Sequence, residues 1–136
     1  MMIRDIVIVF DCGATNVRVI AIDNLGKIVA SESSSNNTKP DPFNPAWRIW
    51  DAPEIWKQMC LGSKKIVKLI EPGKIAGVTI TTFGVDGTLF DKAGKMLYPV
   101  ISWQCERTAP IMANIGKYVP LQDLYGECGV LPFTFN

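Results

Sequence analysis

The chain opens on an unbroken β-branched apolar run, Ile6-Val7-Ile8-Val9-Phe10, the pattern of a strand buried on both faces, which stops at Asp11-Cys12-Gly13-Ala14. Val17, Val19 and Ala21 then alternate with Arg18 and Ile20 before Asn24-Leu25-Gly26, and extended character resumes from Lys27 to Ala30. Three strands joined by two tight turns predict an antiparallel meander. Ser31 to Thr38 is polar and rich in turn formers, and Pro40, Pro42 and Pro45 oppose a helix or central strand, so this stretch reads as a loop. Phe43, Trp47 and Trp50 within it are too large and apolar to lie wholly in water.

A helix start follows, with Asp51 as cap, Pro53 in the first turn and Glu54 three residues after the cap. Ile55, Trp56, Met59, Cys60, Ile66, Val67 and Ile70 recur at helical spacing as one apolar stripe, and the helix should end before Pro72-Gly73. Ile75 to Thr82 reads as a buried strand, Phe83 to Gly87 as a Gly-flanked turn, and Lys92-Ala93-Gly94-Lys95 as a hairpin connection after Leu89-Phe90-Asp91. Pro99 to Trp103 is a short extended piece, and Arg107 to Ile115 reads as a helix with Pro110 in its first turn. From Gly126 the tail carries Val130, Leu131, Phe133 and Phe135 without a terminating element, and it reads as cut short.

The length of 136 residues suits one modest domain. Fourteen Lys and Arg stand against 13 Asp and Glu, so no net field draws nucleic acid or an anionic membrane, and a small-molecule partner is expected. No apolar run approaches the roughly 20 residues that cross a bilayer, and the start lacks a leader pattern, which points to the cytoplasm. Cys12, Cys60, Cys105 and Cys128 lie far apart and read as reduced thiols. Histidine is absent, so carboxylates must do any acid–base work near neutral pH.

Two segments carry candidate chemistry. In Asp11-Cys12-Gly13-Ala14-Thr15-Asn16-Val17-Arg18 a carboxylate ends a buried strand and small residues follow. Gly13 lets the backbone bend close to a ligand, so that successive amides can point at phosphate oxygens as an anion nest, Thr15 and Asn16 add side-chain donors, and Arg18 adds a cation. Asp11 suits a magnesium ion held through water. The same residues also suit a plain tight hairpin, and the absence of GxxxxGK[ST] disfavours a P-loop. In the second segment, Asp86 between Gly84-Val85 and Gly87 can accept from sugar hydroxyls or simply satisfy its own turn. Trp103 can pack on a sugar's C–H face while Gln104 and Arg107 donate to oxygens, or all three can form a structural corner.

The D-C-G-A-T-N-V-R turn resembles the first phosphate motif of the superfamily of sugar kinases, actin and chaperone ATPases, and TTFGVDGTLFDKAGKMLYPVISWQCERT resembles the FGGY sugar-kinase segment that ends in W-x-x-x-R. This resemblance spans nearly the whole chain, with the proline- and tryptophan-containing loop its weakest part. It implies an α/β, ribonuclease-H-like (actin-like ATPase) fold, with a mixed sheet, an antiparallel three-strand meander and flanking helices. Residues 1–136 would form the amino-terminal part of the first lobe, without the second lobe. It implies ATP and Mg2+ as cofactors, with Asp11 at the metal, Gly13, Ala14, Thr15, Asn16 and Arg18 at ATP, and Val85, Asp86, Gly87, Trp103, Gln104 and Arg107 at the sugar. The reaction implied is phosphorylation of a ketose such as L-fuculose, with rhamnulose, ribulose, xylulose and glycerol as alternatives. The proton-accepting aspartate is expected beyond Asn136, so no residue here is assigned as the base and the chain alone is expected to be inactive. A different class of reading is a noncatalytic fragment whose open edge pairs with a second copy to give a homo-oligomer.

Overall fold

A computed structural model describes residues 3–134. The described residues hold strands β1 (Ile6–Cys12), β2 (Asn16–Asp23), β3 (Ile28–Ser35), β4 (Lys39–Pro40), β5 (Arg48–Trp50), β6 (Ile75–Thr81) and β7 (Val100–Ile101), and helices α1 (Ala52–Ile66), α2 (Ala109–Met112) and α3 (Leu121–Cys128). Where the length suggests one domain, the chain forms two compact units, each built from two separated segments. One comprises the chain up to Asn37 with Asp51–Gly84, and the other Thr38–Trp50 with the chain from Val85 onward.

The first unit is a four-stranded mixed sheet in the order β3-β2-β1-β6. The meander β1-β2-β3 is antiparallel, as the alternation predicts, and β6 pairs in parallel with β1 after the α1 crossover. Ile6 and Ile8 of β1, Val19 and Ala21 of β2, and Ala30 of β3 share one face and pack with Ile66 of α1. Gly62 lets the helix approach β2 closely, because a Cβ there would lie 2.7 Å from Val19 Cγ2. The Asp51 cap is made: its Oδ1 accepts from the Glu54 amide at 3.0 Å. The helix stops at Ile66, short of the predicted limit, and Trp56 from the predicted stripe is 64% exposed.

Three expectations change in this unit. The polar segment Ser31–Ser35 continues β3 instead of forming a loop, because an edge strand needs backbone bonds from β2 and no apolar side chains. Strand β6 is not buried, with Val78 at 62% and Ile80 at 61% exposure, since among the described residues it is the edge strand of the sheet, paired to β1. Strand β1 is covered on one face, Val7 being 37% exposed.

The second unit contains a small antiparallel sheet, β4-β5-β7, with Ile49 and Trp50 buried. The Lys92–Lys95 connection closes as a hairpin turn: Asp91 Oδ1 accepts from the amides of Ala93 (2.9 Å) and Lys95 (2.8 Å), and Gly94 takes φ 78°. The first unit uses the same D-x-x-G-K device at Asp23, Gly26 (φ 79°) and Lys27. The predicted Arg107–Ile115 helix is divided into a 3-10 turn, Glu106–Thr108, and the single α-turn α2 with Pro110 early in it. Helix α3, which the sequence reading did not foresee, takes in Gly126 and ends on Gly129 at φ 67°. Beyond it, Val130, Leu131 and Phe133 are each about half exposed or more; Phe135 and Asn136 lie outside the described residues. All four cysteines are free, and among the described residues no helix is long and apolar enough to cross a membrane.

Candidate functional site

The turn between β1 and β2 is a hairpin with its own buttress. The Gly13 amide donates to Asn16 O at 2.9 Å, so that amide is spent inside the turn. A Cβ at Gly13 would stand 3.1 Å from the same oxygen, and Gly13 has no positive φ; glycine serves closeness here and not handedness. Asn36, 6% exposed at the end of β3, donates from Nδ2 to Gly13 O at 2.9 Å and from its amide to Thr15 O at 2.8 Å. The amides of Ala14 and Thr15 make no hydrogen bond among the described residues, and the Thr15 and Asn16 side chains are exposed. Asp11 and Arg18 are direct cross-strand partners. Arg18 Nε donates to Asp11 Oδ2 at 2.7 Å and Nη2 contacts the same oxygen, leaving Oδ1 outside the pair.

Among the described residues no three His, Cys, Asp or Glu side chains gather to hold a metal. One carboxylate oxygen free of an ion pair fits a magnesium ion that keeps water and phosphate oxygens as its other ligands, and it does not fit a cage made by protein alone. Beside it, burial pushes the Cys12 thiol up; a hydrogen bond with Thr82 lowers it less, and the Asp11 charge raises it further, so the thiolate form is disfavoured.

In the second unit a cavity of about 370 Å³ is lined by Val85, Gly87, Thr88, Trp103, Cys105 and Arg107 among others, a size within the roughly 300–1,000 Å³ of small-molecule pockets. The Gly87 carbonyl takes the Ile101 amide at 2.9 Å, which ties the turn to β7. Asp86 does not line the cavity. Its Oδ1 accepts from Trp50 Nε1 at 2.6 Å and from the Trp103 amide at 2.7 Å, and its Oδ2 is buried with no hydrogen-bond partner among the described residues. A buried carboxylate oxygen without a donor is costly. Gln104 is exposed and accepts a long bond, 3.4 Å, from Thr38 Oγ1.

Arg107 belongs to a second cluster, centred on Asp41. Asp41 is 2% exposed and accepts from the amides of Phe43 (2.8 Å) and Asn44 (3.3 Å), from Tyr98 Oη, and from Arg107 Nη2 (2.9 Å). The guanidinium lies over Trp47 at 4.4 Å and near the Tyr98 ring at 5.3 Å. Burial alone would raise the Asp41 carboxyl, but the bonds from Tyr98, Phe43, Arg107 and Asn44 outweigh it and hold the pKa below the usual value. Arg107 Nε also donates to Cys105 Sγ at 3.1 Å. Burial raises that thiol, yet Arg107 and the backbone bring it below its ordinary value.

With this geometry described, known proteins place the chain. Residues 6–136 match the FGGY family of carbohydrate kinases, N-terminal domain. The chain belongs to this family. It is 41% identical over 136 residues to L-fuculokinase of Haemophilus influenzae, covering 96% of this chain and 29% of that protein. It is 42% identical over 135 residues to L-fuculokinase of Escherichia coli, covering 99% and 29%. The chain thus spans under a third of the length of these relatives. Among solved structures, Plasmodium falciparum glycerol kinase with ADP superposes with a TM-score of 0.78 at 20% identity, covering 96% of this chain and 26% of that one; at that identity the likeness establishes the actin-like kinase fold.

For this FGGY chain, the residues singled out from sequence fall in two places. Asp11, Gly13, Ala14, Thr15, Asn16 and Arg18 sit together on one turn of the first unit. Val85, Gly87, Trp103 and Arg107 share the cavity of the second, with Asp86 behind Trp103 and Gln104 on the surface. Sequence reading missed Asn36 and Asp41. One Asn of the Asn36-Asn37 pair in a polar run carries no signal, whereas Asp41 between two prolines in an aromatic loop is an unusual setting that a search for buried charge could have flagged.

Proposed function

We propose that the chain is the amino-terminal part of the first lobe of an ATP-dependent carbohydrate kinase that phosphorylates a ketose, with L-fuculose as substrate and L-fuculose 1-phosphate as product. The observation that carries this reading is identity of 41% and 42% to two L-fuculokinases over 96% and 99% of the chain, a span that includes both the turn and the cavity segment. The amides of Ala14 and Thr15, with the side chains of Thr15 and Asn16, supply donors for phosphate oxygens on the strand-connecting turn at Gly13. Asp11 Oδ1 is the oxygen that would meet Mg2+, and Arg18 holds the other oxygen in place. Mg2+, when bound with ATP, neutralises phosphate charge. Asp86 serves the sugar site by accepting from the Trp103 amide and so fixing Trp103 at the cavity, Val85 and Gly87 form a small wall, Trp103 packs on a C–H face, and Gln104 and Arg107 donate. No side chain of this chain is assigned as the base that takes the hydroxyl proton. A consumer of ATP and a small sugar belongs in the cytoplasm.

The test is a full-length enzyme assayed with Mg-ATP against L-fuculose, rhamnulose, ribulose, xylulose and glycerol. The reading expects the highest kcat/KM with L-fuculose; a better substrate among the others would replace the sugar, and no turnover of any would remove the function. In the same enzyme Asp11→Ala should depress kcat far more than sugar affinity, roughly a hundredfold or more, as loss of transition-state stabilisation does. Asp86→Ala should chiefly raise the sugar KM; the reverse pattern would undo both roles.

A further inference from the structure

Arg107 is held from four sides. Nη2 is bound by Asp41 at 2.9 Å, Nε by Cys105 Sγ at 3.1 Å, and the guanidinium plane stands over Trp47 at 4.4 Å and beside Tyr98 at 5.3 Å. Its side chain is only 17% exposed, yet it lines the cavity of the second unit. Of its three nitrogens, Nε and Nη2 are engaged by the bonds to Cys105 and Asp41, and Nη1 stands outside both. Guanidinium is planar and cannot redirect one nitrogen without moving the others, so fixing two of them fixes the third.

Asp41 is built to do the fixing. One carboxylate oxygen, Oδ1, takes the amides of Phe43 and Asn44 and thereby shapes its own loop; the other, Oδ2, takes Tyr98 Oη and Arg107. A charge 2% exposed is costly to bury, and a loop turn needs only an Asn or Ser for the two amides. The charge is explained by what it grips on the far side.

We propose that Asp41 is a positioning residue of the sugar subsite, which holds Arg107 so that Nη1 is presented as a fixed donor to an oxygen of a polyhydroxylated ligand, with Tyr98 and Trp47 completing the clamp. This inference rests on the carbohydrate-kinase reading above. It gives the loop with the three prolines a part in substrate affinity.

The experiment is steady-state kinetics of the full-length enzyme carrying Asp41→Asn, Tyr98→Phe, Arg107→Ala, and Asp41→Asn combined with Arg107→Ala. Asp41→Asn keeps the shape and an acceptor for the two amides and removes the charge. It should raise the sugar KM about ten- to hundredfold, the worth of a charge-assisted hydrogen bond, while the KM for ATP stays put. Tyr98→Phe should move the same constant in the same direction by less, and the double variant should be no worse than Arg107→Ala alone. If Arg107→Ala raises the sugar KM while Asp41→Asn and Tyr98→Phe leave it unchanged, Asp41 serves folding only and the inference is overturned. If Arg107→Ala itself leaves sugar kinetics unchanged, the sugar-site reading fails instead. Should Asp41→Asn not accumulate as folded protein, Tyr98→Phe decides on the same KM split. A readout apart from activity is the pH titration of the Cys105 thiol followed by 13C NMR of Cβ-labelled cysteine, which needs no reagent to reach the buried sulfur, with exposed Cys128 as internal reference. Release of Arg107 should shift the Cys105 profile to higher pH and leave Cys128 alone, and an unshifted profile counts against the clamp.

Discussion

The first unit is held by aliphatic side chains, Ile6, Ile8, Val19, Ala21, Ala30 and Ile66, on one face of a sheet beneath a helix. The second buries few aliphatics and instead gathers Tyr98, Arg107 and Trp47 around the charge of Asp41. Aliphatic packing is insensitive to direction and pH but sensitive to volume. A buried carboxylate reverses both sensitivities: it fixes angles and tolerates no loss of charge. The turn at Gly13 is thus carried by a scaffold that needs only shape, and the cavity by one that needs a protonation state.

Acid should separate the two most strongly. The Asp41 carboxyl titrates below its unfolded value of about 3.9, so its contribution is present above that value and is lost as pH falls through the lower, folded pKa. Hydrogen exchange read by mass spectrometry should show protection lost first in 38–50 and 85–112, while 6–35 stays protected. Asp41→Asn should already show weakened protection at neutral pH, with little further change in acid, and equal acid sensitivity of both units would erase the contrast.

Removing volume should act the other way round. Ile66→Ala empties a fully buried site under the sheet and should cost about 2–5 kcal/mol, measured by urea denaturation and confined to the first unit. Adding volume at the same contact is the milder counterpart. Gly62→Ala drives a methyl against Val19 Cγ2, where the distance would be 2.7 Å, and should cost about 1–3 kcal/mol; a neutral result would mean that helix and strand can part without penalty. Smallest is the cap: Asp51→Ala removes the acceptor of the Glu54 amide and should cost roughly 1 kcal/mol, read by the same urea denaturation.

How much was legible follows from how local each cause is. The β1-β2-β3 meander, the D-x-x-G-K turns and the Asp51 cap are decided by residues a few positions apart, and each was readable from the alternation or from the turn former itself. The extension of β3 through Ser31–Ser35 was not, because an edge strand is made by main-chain bonds that any side chain permits. Nor was the exposure of Val78 and Ile80, since an apolar run records a preference for burial and says nothing of what covers it. The turn at Gly13 was recognisable as a unit of sequence, whereas its buttress, Asn36, lies 23 residues from Gly13 and shows no pattern.

By itself, then, the sequence determined the order of strands and helix in the first unit, the turns that connect them, and the membership in a carbohydrate-kinase family carried by two contiguous segments. Only the tertiary structure decided that Asp41 meets Tyr98 across 57 residues and Arg107 across 66, and that Asp86 is bound to Trp50 with one oxygen left over. Short-range preferences are written in neighbouring residues, but the partner of a buried charge is chosen by chain folding, and one carboxylate in a row of letters looks like any other until its donors arrive.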